Sequence, residues 1–404
     1  MKVLISGAGI AGPTLAWWLS RAGHAVTIVE QAPALRTGGY VIDFWGSGYE
    51  IATRMGLISR IRALGYQVRE VRLVNRSGRK VGGFEVEVFD RVTDGRFTSV
   101  GRSDLAATIM NALGDRVETI FGDSIAAIEE VEGGVGVRLE RGGEREVDLV
   151  VGADGLHSRV RELTFGAEAT FEVPLGFHVA AFEVEGYRPR DELVYVTFGI
   201  AGRQLSRFAM RDDRTLVLCV FRDEYLKGRR PVTDADRRAA LRDIFGGMGW
   251  ECDPLLAALE GARDLYFDRV SQIRLPRWTR GRVALVGDAA ACVSLLAGEG
   301  TGLAMTEAYV LAAMLEAADD HGAAFAAYER RMMPFLAGKQ RSAAGFASSF
   351  APRTMLGVHV RNLVTHLFGI PAVAEWFVAR SLRDDVDLPP TPVGAAGNSW
   401  SRSG

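Results

Sequence analysis

The chain has 404 residues, 48% of them hydrophobic, enough apolar material for two substantial cores in one or two domains. Its 48 basic and 50 acidic residues leave a formal net charge of −2, which argues against nucleic acid or a charged membrane surface as a partner. Cys219, Cys252 and Cys292 are far apart, lack metal-ligand spacing and read as packing residues of a reducing compartment.

Lys2 to Glu30 reads as a strand (Val3-Leu4-Ile5), a glycine turn, a helix and a second strand ending on an acid. Gly7, Gly9 and Gly12, with Ile10 and Ala11 between the last two, give G-x-G-x-x-G directly after the strand. In that pattern Gly7 permits the tight turn, Gly9 lets backbone approach a pyrophosphate, and Gly12 lets the helix pack on the strand. The helix N-terminus then offers N–H groups and a positive dipole end to phosphates, and Pro13 fits a first turn that has no bond to lose. Glu30, followed by Gln31, stands where a carboxylate can accept from an adenosine ribose and disfavour a 2′-phosphate, so FAD or NAD suits the site better than NADP. A core strand this early argues against a signal peptide, and the apolar run 302–315 is broken by Glu307 and too short for a bilayer. A cytoplasmic protein is expected.

Pro33 and Gly38-Gly39 mark a loop, a helix is expected over 48–57, and 73–88 reads as a hairpin turning at Ser77-Gly78. Arg102 to Leu105 opens a helix to Leu113, with Ser103 as candidate N-cap. Strands follow at 117–121, 125–131 and 135–139. An apolar strand at 148–152 then runs into Asp154-Gly155-Leu156-His157-Ser158-Arg159 and a helix start. From Phe171 to Phe221 the texture turns to alternating strands (177–184, 193–198, 205–211, 215–221), the pattern of an antiparallel sheet. Helices at 234–245 and 254–259 and a strand at 265–273 precede a return to α/β texture at Arg282 to Asp288. A glycine-rich loop and a helix to about Ala318 follow, then helices over 323–350 and 355–380 and a Pro/Gly/Ser-rich tail.

Three fingerprints thus stand in one order: Gly7 to Gly12, Gly152-Ala153-Asp154-Gly155 through Arg161, and Gly287-Asp288-Ala289-Ala290. This order resembles the single-component FAD-dependent aromatic hydroxylases, the group A flavoprotein monooxygenases, over residues 1–316. The stretches GGYVIDFWGSG and AGEGTGLAMTEAYVLAAML resemble the tetracycline-destructase and polyketide-tailoring branch. The resemblance implies an α/β fold like that of para-hydroxybenzoate hydroxylase: a Rossmann-like FAD-binding domain, an antiparallel β-sheet substrate domain and C-terminal helices. The expected boundaries are 1–75, 98–166 and 275–350 for the FAD domain, and 76–97 with 168–274 for the substrate domain. A helical segment at 351–386 and a disordered tail at 389–404 complete the chain.

By the same resemblance FAD is held noncovalently and NAD(P)H is a transient reductant without a domain of its own. One oxygen atom of O2 passes to a bulky aromatic or polyketide-like molecule through a C4a-(hydro)peroxyflavin. Asp288 is expected at a ribityl hydroxyl, and Arg102 at the pyrophosphate or ribityl region. Arg36, Asp43 and Asp154 are further expected contacts of FAD. Gly287, Gly298, Gly300 and Thr301 shape the turn and helix start facing the pyrimidine edge of the flavin, where the helix dipole favours the anionic reduced ring. No catalytic base is expected. The substrate pocket is expected at Phe182, Tyr195, Phe208, Met210, Phe221, Leu295 and Leu296. No metal is expected, and the chain is expected to be a monomer or weak homodimer.

The sequence departs from that family in one loop. Ala291 replaces the usual histidine, Val293, Ser294 and Leu295 stand where prolines shape the loop, and Glu299 replaces a glutamine. These changes loosen the loop and place an acid near the flavin. Other residues have bland readings: His157 as solvent-facing rather than a base, Trp17 and Trp18 as packing, Arg203 and Arg207 as anion ligands or solvated strand edges. A flavin halogenase would need a Trp-x-Trp-x-Ile-Pro segment and a two-dinucleotide Baeyer–Villiger enzyme a second G-x-G-x-x-G; both are absent. A reductase of the geranylgeranyl type and a non-catalytic flavin-binding resistance protein stay open.

Overall fold

In the computed structural model, which describes residues 1–35, 40–368 and 386–392, the chain opens with β1 (Lys2–Ser6), α1 (Ala11–Arg21) and β2 (Ala25–Glu30). It continues through β3 (Val41–Phe44), α2 (Gly46–Arg54), α3 (Ile58–Leu64), β4 (Glu70–Val74), β5 (Lys80–Glu85) and α4 (Glu87–Val92). Next come β6 (Thr98–Gly101), α5 (Arg102–Asn111), β7 (Glu118–Phe121), β8 (Ile125–Val131), β9 (Gly134–Leu139), β10 (Glu144–Val147), β11 (Leu149–Gly152) and α6 (Arg159–Phe165). The long strands β12 (Glu172–Glu185), β13 (Val194–Ile200), β14 (Arg203–Ala209) and β15 (Arg214–Arg222) are followed by α7 (Asp234–Phe245) and α8 (Cys252–Leu259). The chain then forms β16 (Leu265–Ile273), β17 (Thr279–Arg280), β18 (Val283–Leu285), α9 (Asp288–Ala291), α10 (Gly300–Ala317), α11 (His321–Phe350) and α12 (Met355–Leu367).

Two large sheets carry the architecture. One has the order β17-β18-β11-β1-β2-β7 and is parallel apart from the β17–β18 pair. Its inner strands are continuous apolar runs because they are covered: β1 and β11 are buried almost throughout, and both helix α1 and the three-stranded sheet β10-β9-β8 pack on them. The other sheet has the order β16-β12-β15-β14-β13-β4-β5, antiparallel except where β4 runs parallel to β13.

That parallel contact corrects the expected boundary at residue 75. The limit would separate β4 from β5, yet the two are paired (Val71 with Phe84) and both belong to the second sheet. Local pattern could not show this, because β4 finds its other neighbour more than a hundred residues later in β13. Helix α5 begins at Arg102 itself with Gly101 as N-cap, so Ser103 lies inside the helix.

Strand alternation divides the seven-stranded sheet into two faces. Phe182, Val184, Phe198, Cys219 and Phe221 pack under α7 and α8 with Leu241, Phe245, Leu255 and Leu259. The opposite face carries Ala181, Phe208, Met210 and Leu216 with Tyr66, and Tyr195 and Tyr40 pack against this group. All three cysteines are buried and free.

Helix α12 lies against β5 and β13, where Arg361 donates to Gln204 Oε1 at 2.8 Å and to the Phe350 carbonyl at 3.0 Å. The expected continuation of this helix to residue 380 runs outside the described residues. The start of the expected disordered tail is tied down: the Pro389 carbonyl accepts from Tyr309 Oη at 2.8 Å and Arg54 Nη1 at 3.0 Å. Residues 393–404 also lie outside the described chain. Among the described residues no helix is long and apolar enough to cross a membrane.

Candidate active site

The three glycines of the first turn act in different ways. A Cβ on Gly7, whose φ is +108°, would lie 2.4 Å from the Ala153 carbonyl oxygen; one on Gly12 would lie 2.0 Å from Gly7 O and 3.3 Å from Ile5 Cγ2. Both glycines are therefore required by packing alone. Among the described residues, a Cβ on Gly9 would meet Arg102 Nη2 at 3.7 Å and no other atom beyond its chain neighbours within 4 Å. Gly9 thus borders open space beside a guanidinium, which is what a diphosphate needs. The first bond of the helix runs from Thr14 N to Ile10 O, and among the described residues no protein acceptor takes the N–H of Ile10, Ala11 or Gly12. Those donors point to the same space. Glu30 stands at its edge, accepting from Ala8 N at 2.8 Å and Ala32 N at 2.9 Å, while Gln31 is exposed.

The Asp154 turn leans on the Gly7 turn. Asp154 Oδ1 accepts from Ser158 Oγ at 2.5 Å and Oδ2 from Val160 N at 3.1 Å; burial raises its pKa and these bonds oppose the shift. Ser158 in turn caps α6 by accepting from Arg161 N at 3.0 Å. Asp154 therefore orders its own turn. Arg161, fully buried, donates to Leu156 O at 2.6 Å, Glu168 Oε2 at 2.5 Å and Ala289 O at 3.2 Å, which couples this motif to the one at Asp288. His157 is exposed, as expected, but not idle. Its Nδ1 lies 2.9 Å from Glu168 and its Nε2 3.1 Å from Asp268; the Asp268 bond, opposed by burial and helped by Glu168, pushes its pKa up to about 9.

Gly287, at φ +65°, sits where α1 and α10 meet: a Cβ would lie 3.2 Å from Ala11 Cβ and 3.5 Å from Ala304 Cβ. Its N–H donates to Glu307 Oε2 at 3.0 Å, and Tyr328 Oη lies 3.2 Å from the same oxygen. Glu307, seen in sequence only as a break in an apolar run, is thus a buried acceptor whose pKa burial pushes well up. Asp288 follows, half-buried; burial raises its carboxyl, opposed by the charge of Arg102 and a hydrogen bond from Cys292. A Cβ on Gly300 would lie 4.0 Å from Asp288 Oδ1, so the start of α10 borders this carboxylate. Gly298, at φ +71°, turns the chain into that start, and Thr301 is buried within its first turn. Helix α2 crosses α10 backbone to backbone, since a Cβ on Gly48 would lie 2.5 Å from Gly302 Cα.

Strand β3 brings Asp43 to the same cleft, where it accepts from Ser99 Oγ at 2.5 Å and the surrounding walls raise its pKa. Asp43, Phe44, Trp45, Glu299, Gly302 and Leu303 line one recess of it. Tyr40, pushed up to about 12 by burial against the pull of Arg102, faces Tyr266 with ring centroids 6.5 Å apart. Arg36 lies outside the described residues.

Comparisons with known proteins give the family and the fold. A family profile described as FAD binding domain covers residues 1–335. A flavin-dependent monooxygenase from an unknown prokaryotic organism is 32% identical over 357 residues, 86% of this chain and 90% of the relative. The chain belongs to the FAD-dependent monooxygenases. The monooxygenase is also 38% identical over 339 residues, 83% of its length and 90% of the relative's, to an uncharacterized protein of Mycobacterium tuberculosis H37Rv. Its fold matches the crystal structure of tetracycline destructase Tet(51) with a TM-score of 0.81 at 28% identity, covering 96% of this chain and 98% of the other. The residues present fit FAD: the space beside Gly9 and Arg102 and the N–H groups of Ile10 to Gly12 accommodate a diphosphate.

The residues expected to line a pocket fall on different faces of the sheet. Tyr195, Phe208 and Met210 lie on the sheet face that meets Tyr40 and Val41, with Tyr195 and Phe208 stacked at 4.3 Å. Phe182 and Phe221 lie on the other face, under α7 and α8, because their strand positions have the opposite parity. Leu295 and Leu296 pack with Phe177, Val179 and Val220. Arg207 is not a solvated strand edge, being 2% exposed between Asp191 (2.7 Å) and Glu251 (2.6 Å), while the half-buried Arg203 donates to the Ile244 carbonyl and lies over the Tyr225 ring. Sequence reasoning missed Tyr40, Tyr66 and Tyr266. The period-two pattern of 265–273 was the available signal for Tyr266.

Proposed function

We propose that the monooxygenase consumes NAD(P)H and inserts one oxygen atom of O2 into a bulky aromatic or polyketide-like small molecule. The observation that carries this reading is the aromatic sheet face, Tyr66, Tyr195, Phe208 and Met210, set against Tyr40, which itself packs on the parallel-sheet core. Tyr195 also lies close enough to Asp43 for the carboxylate to help burial in raising its phenol. This packed aromatic face meets Tyr40, whose phenol feels the charges of Arg102 and Asp288, and a planar apolar ligand suits such a wall.

When bound, FAD supplies the electron transfer and the activation of oxygen. The chain's own residues bind and orient it. The N–H groups of Ile10 to Gly12 and Arg102 would hold the diphosphate, Glu30 the adenosine ribose, and Asp288 a ribityl hydroxyl. The start of α10 would offer a positive dipole end to negative charge developing on the ring. The aromatic face excludes water from the reacting centre. No side chain is assigned as a general base.

The likeness to a tetracycline destructase makes tetracycline the first compound to offer. The test is NAD(P)H oxidation by the FAD-loaded protein across a panel of polycyclic aromatic compounds. Substrate-stimulated oxidation with an oxygenated product supports the reading; bound flavin without stimulation by any compound contradicts it.

A further inference from the structure

The loop between α9 and α10 has no proline in residues 292–299, and its carbonyls are held instead by two buried glutamines from separate elements. Gln272, on β16 of the substrate sheet, is fully buried; its Nε2 donates to Val293 O and Gln340 O, both at 2.8 Å. Its Oε1 accepts from Arg274 Nε at 3.1 Å and Nη2 at 2.6 Å. Gln340, on α11 and 7% exposed, donates from Nε2 to Ile273 O at 2.7 Å and Cys292 O at 3.1 Å. One amide clamp therefore joins the loop, the substrate sheet and the long C-terminal helix.

We propose that Gln272 and Gln340 are positioning residues that fix this loop for the flavin, doing by hydrogen bonds what prolines in the loop would do covalently. The argument rests on the assignment of the Asp288 cleft to the flavin. Asp288 lies just before the loop and Gly300 just after it, 4.0 Å apart as measured from a Cβ on Gly300. The geometry of the cleft thus depends on how the intervening residues are held. Gln272 is the donor to Val293 O, and a buried carbonyl that loses its donor costs about 1–3 kcal/mol. Cys292 O keeps Ile273 N at 3.2 Å when Gln340 is lost, but the loop then loses its side-chain tie to α11. Tyr266 stands on β16 with Gln272, so the clamp joins the loop to the strand that carries this ring.

The test compares the wild-type protein with Gln340→Met, Gln340→Glu and Gln272→Met after removal and re-addition of FAD. Affinity is read by titration, and solvent access by iodide quenching of flavin fluorescence. Each variant is expected to bind FAD about tenfold more weakly and to quench more strongly. A rescue distinguishes positioning from general damage. Leu295 is the first residue of a short 3-10 turn and follows an extended Ser294 (ψ 139°), a place that accepts proline. Adding Leu295→Pro to Gln340→Met is expected to restore FAD affinity and to lower quenching to the wild-type level. Variants that melt earlier but bind and shield FAD as the wild type does would overturn the clamp alone, as would a failed rescue. A wild-type protein that takes up no FAD would overturn the site itself.

Discussion

Lys339 Nζ lies 2.9 Å from Glu299 Oε2, with 12% and 18% of the two side chains exposed. The acid that replaces the family's glutamine at the start of α10 is therefore met by a cation from α11. On the proposed placement of FAD, this pair would stand beside the helix start that faces the flavin.

Breaking this pair from either side should move the flavin in opposite directions. Lys339→Met leaves the carboxylate and is expected to lower the two-electron midpoint potential by about 30 mV, about 1.4 kcal/mol against the reduced form. Glu299→Gln leaves the ammonium and is expected to raise it by a similar amount. Spectroelectrochemical titration of the two variants decides; shifts of the same sign would refute the account.

Asp288→Ala is expected to leave a folded protein with FAD affinity lowered at least about tenfold, the loss of a charge-assisted hydrogen bond. Unchanged circular dichroism with a colourless purified protein is the expected result. A yellow, fully loaded variant would remove Asp288 from the cofactor site.

The two faces of the substrate sheet give separable outcomes. Phe208→Ala opens space on the aromatic face and is expected to change KM for accepted polycyclic compounds several-fold. Phe182→Ala leaves a cavity under α7 and α8 and is expected to cost about 3–5 kcal/mol of stability while leaving KM unchanged. Denaturant melts and steady-state kinetics on both variants check this, and a KM change confined to Phe182→Ala would reverse the assignment of faces.

Much of this site was legible because its chemistry is local. The tight turn and close packing that spacing gave to Gly7 and Gly12 are what their surroundings require. The antiparallel pairing of the strands between 177 and 221 also followed from alternation. What could not be read were facts set by partners distant in sequence. Strand parity says that Phe182 and Phe208 alternate with their neighbours but not which face meets the flavin domain. Nothing around Gln272 or Gln340 marks them as a pair, and Arg207 looks like a surface residue until Asp191 and Glu251 close on it.

His157 gives a pH signature. Its folded pKa of about 9 lies above the ordinary imidazole value, so its pairing with Asp268 and Glu168 stabilises fully below about pH 6.5. That contribution is lost as pH rises through about 9. The residue is exposed, so screening holds the effect below about 1 kcal/mol. Thermal melts across this window should show a decline in the wild-type protein that His157→Gln lessens; identical slopes would place the titration elsewhere.

The claim of oxygen transfer meets its most direct test in isotope labelling. The FAD-loaded protein is reduced anaerobically with NADPH or NADH, mixed with tetracycline or another polycyclic aromatic compound, and exposed to oxygen-18 gas. The account predicts a product carrying one oxygen-18 atom from the gas. Label found only in peroxide or water, or a compound reduced at a carbon–carbon double bond without gaining oxygen, would contradict it.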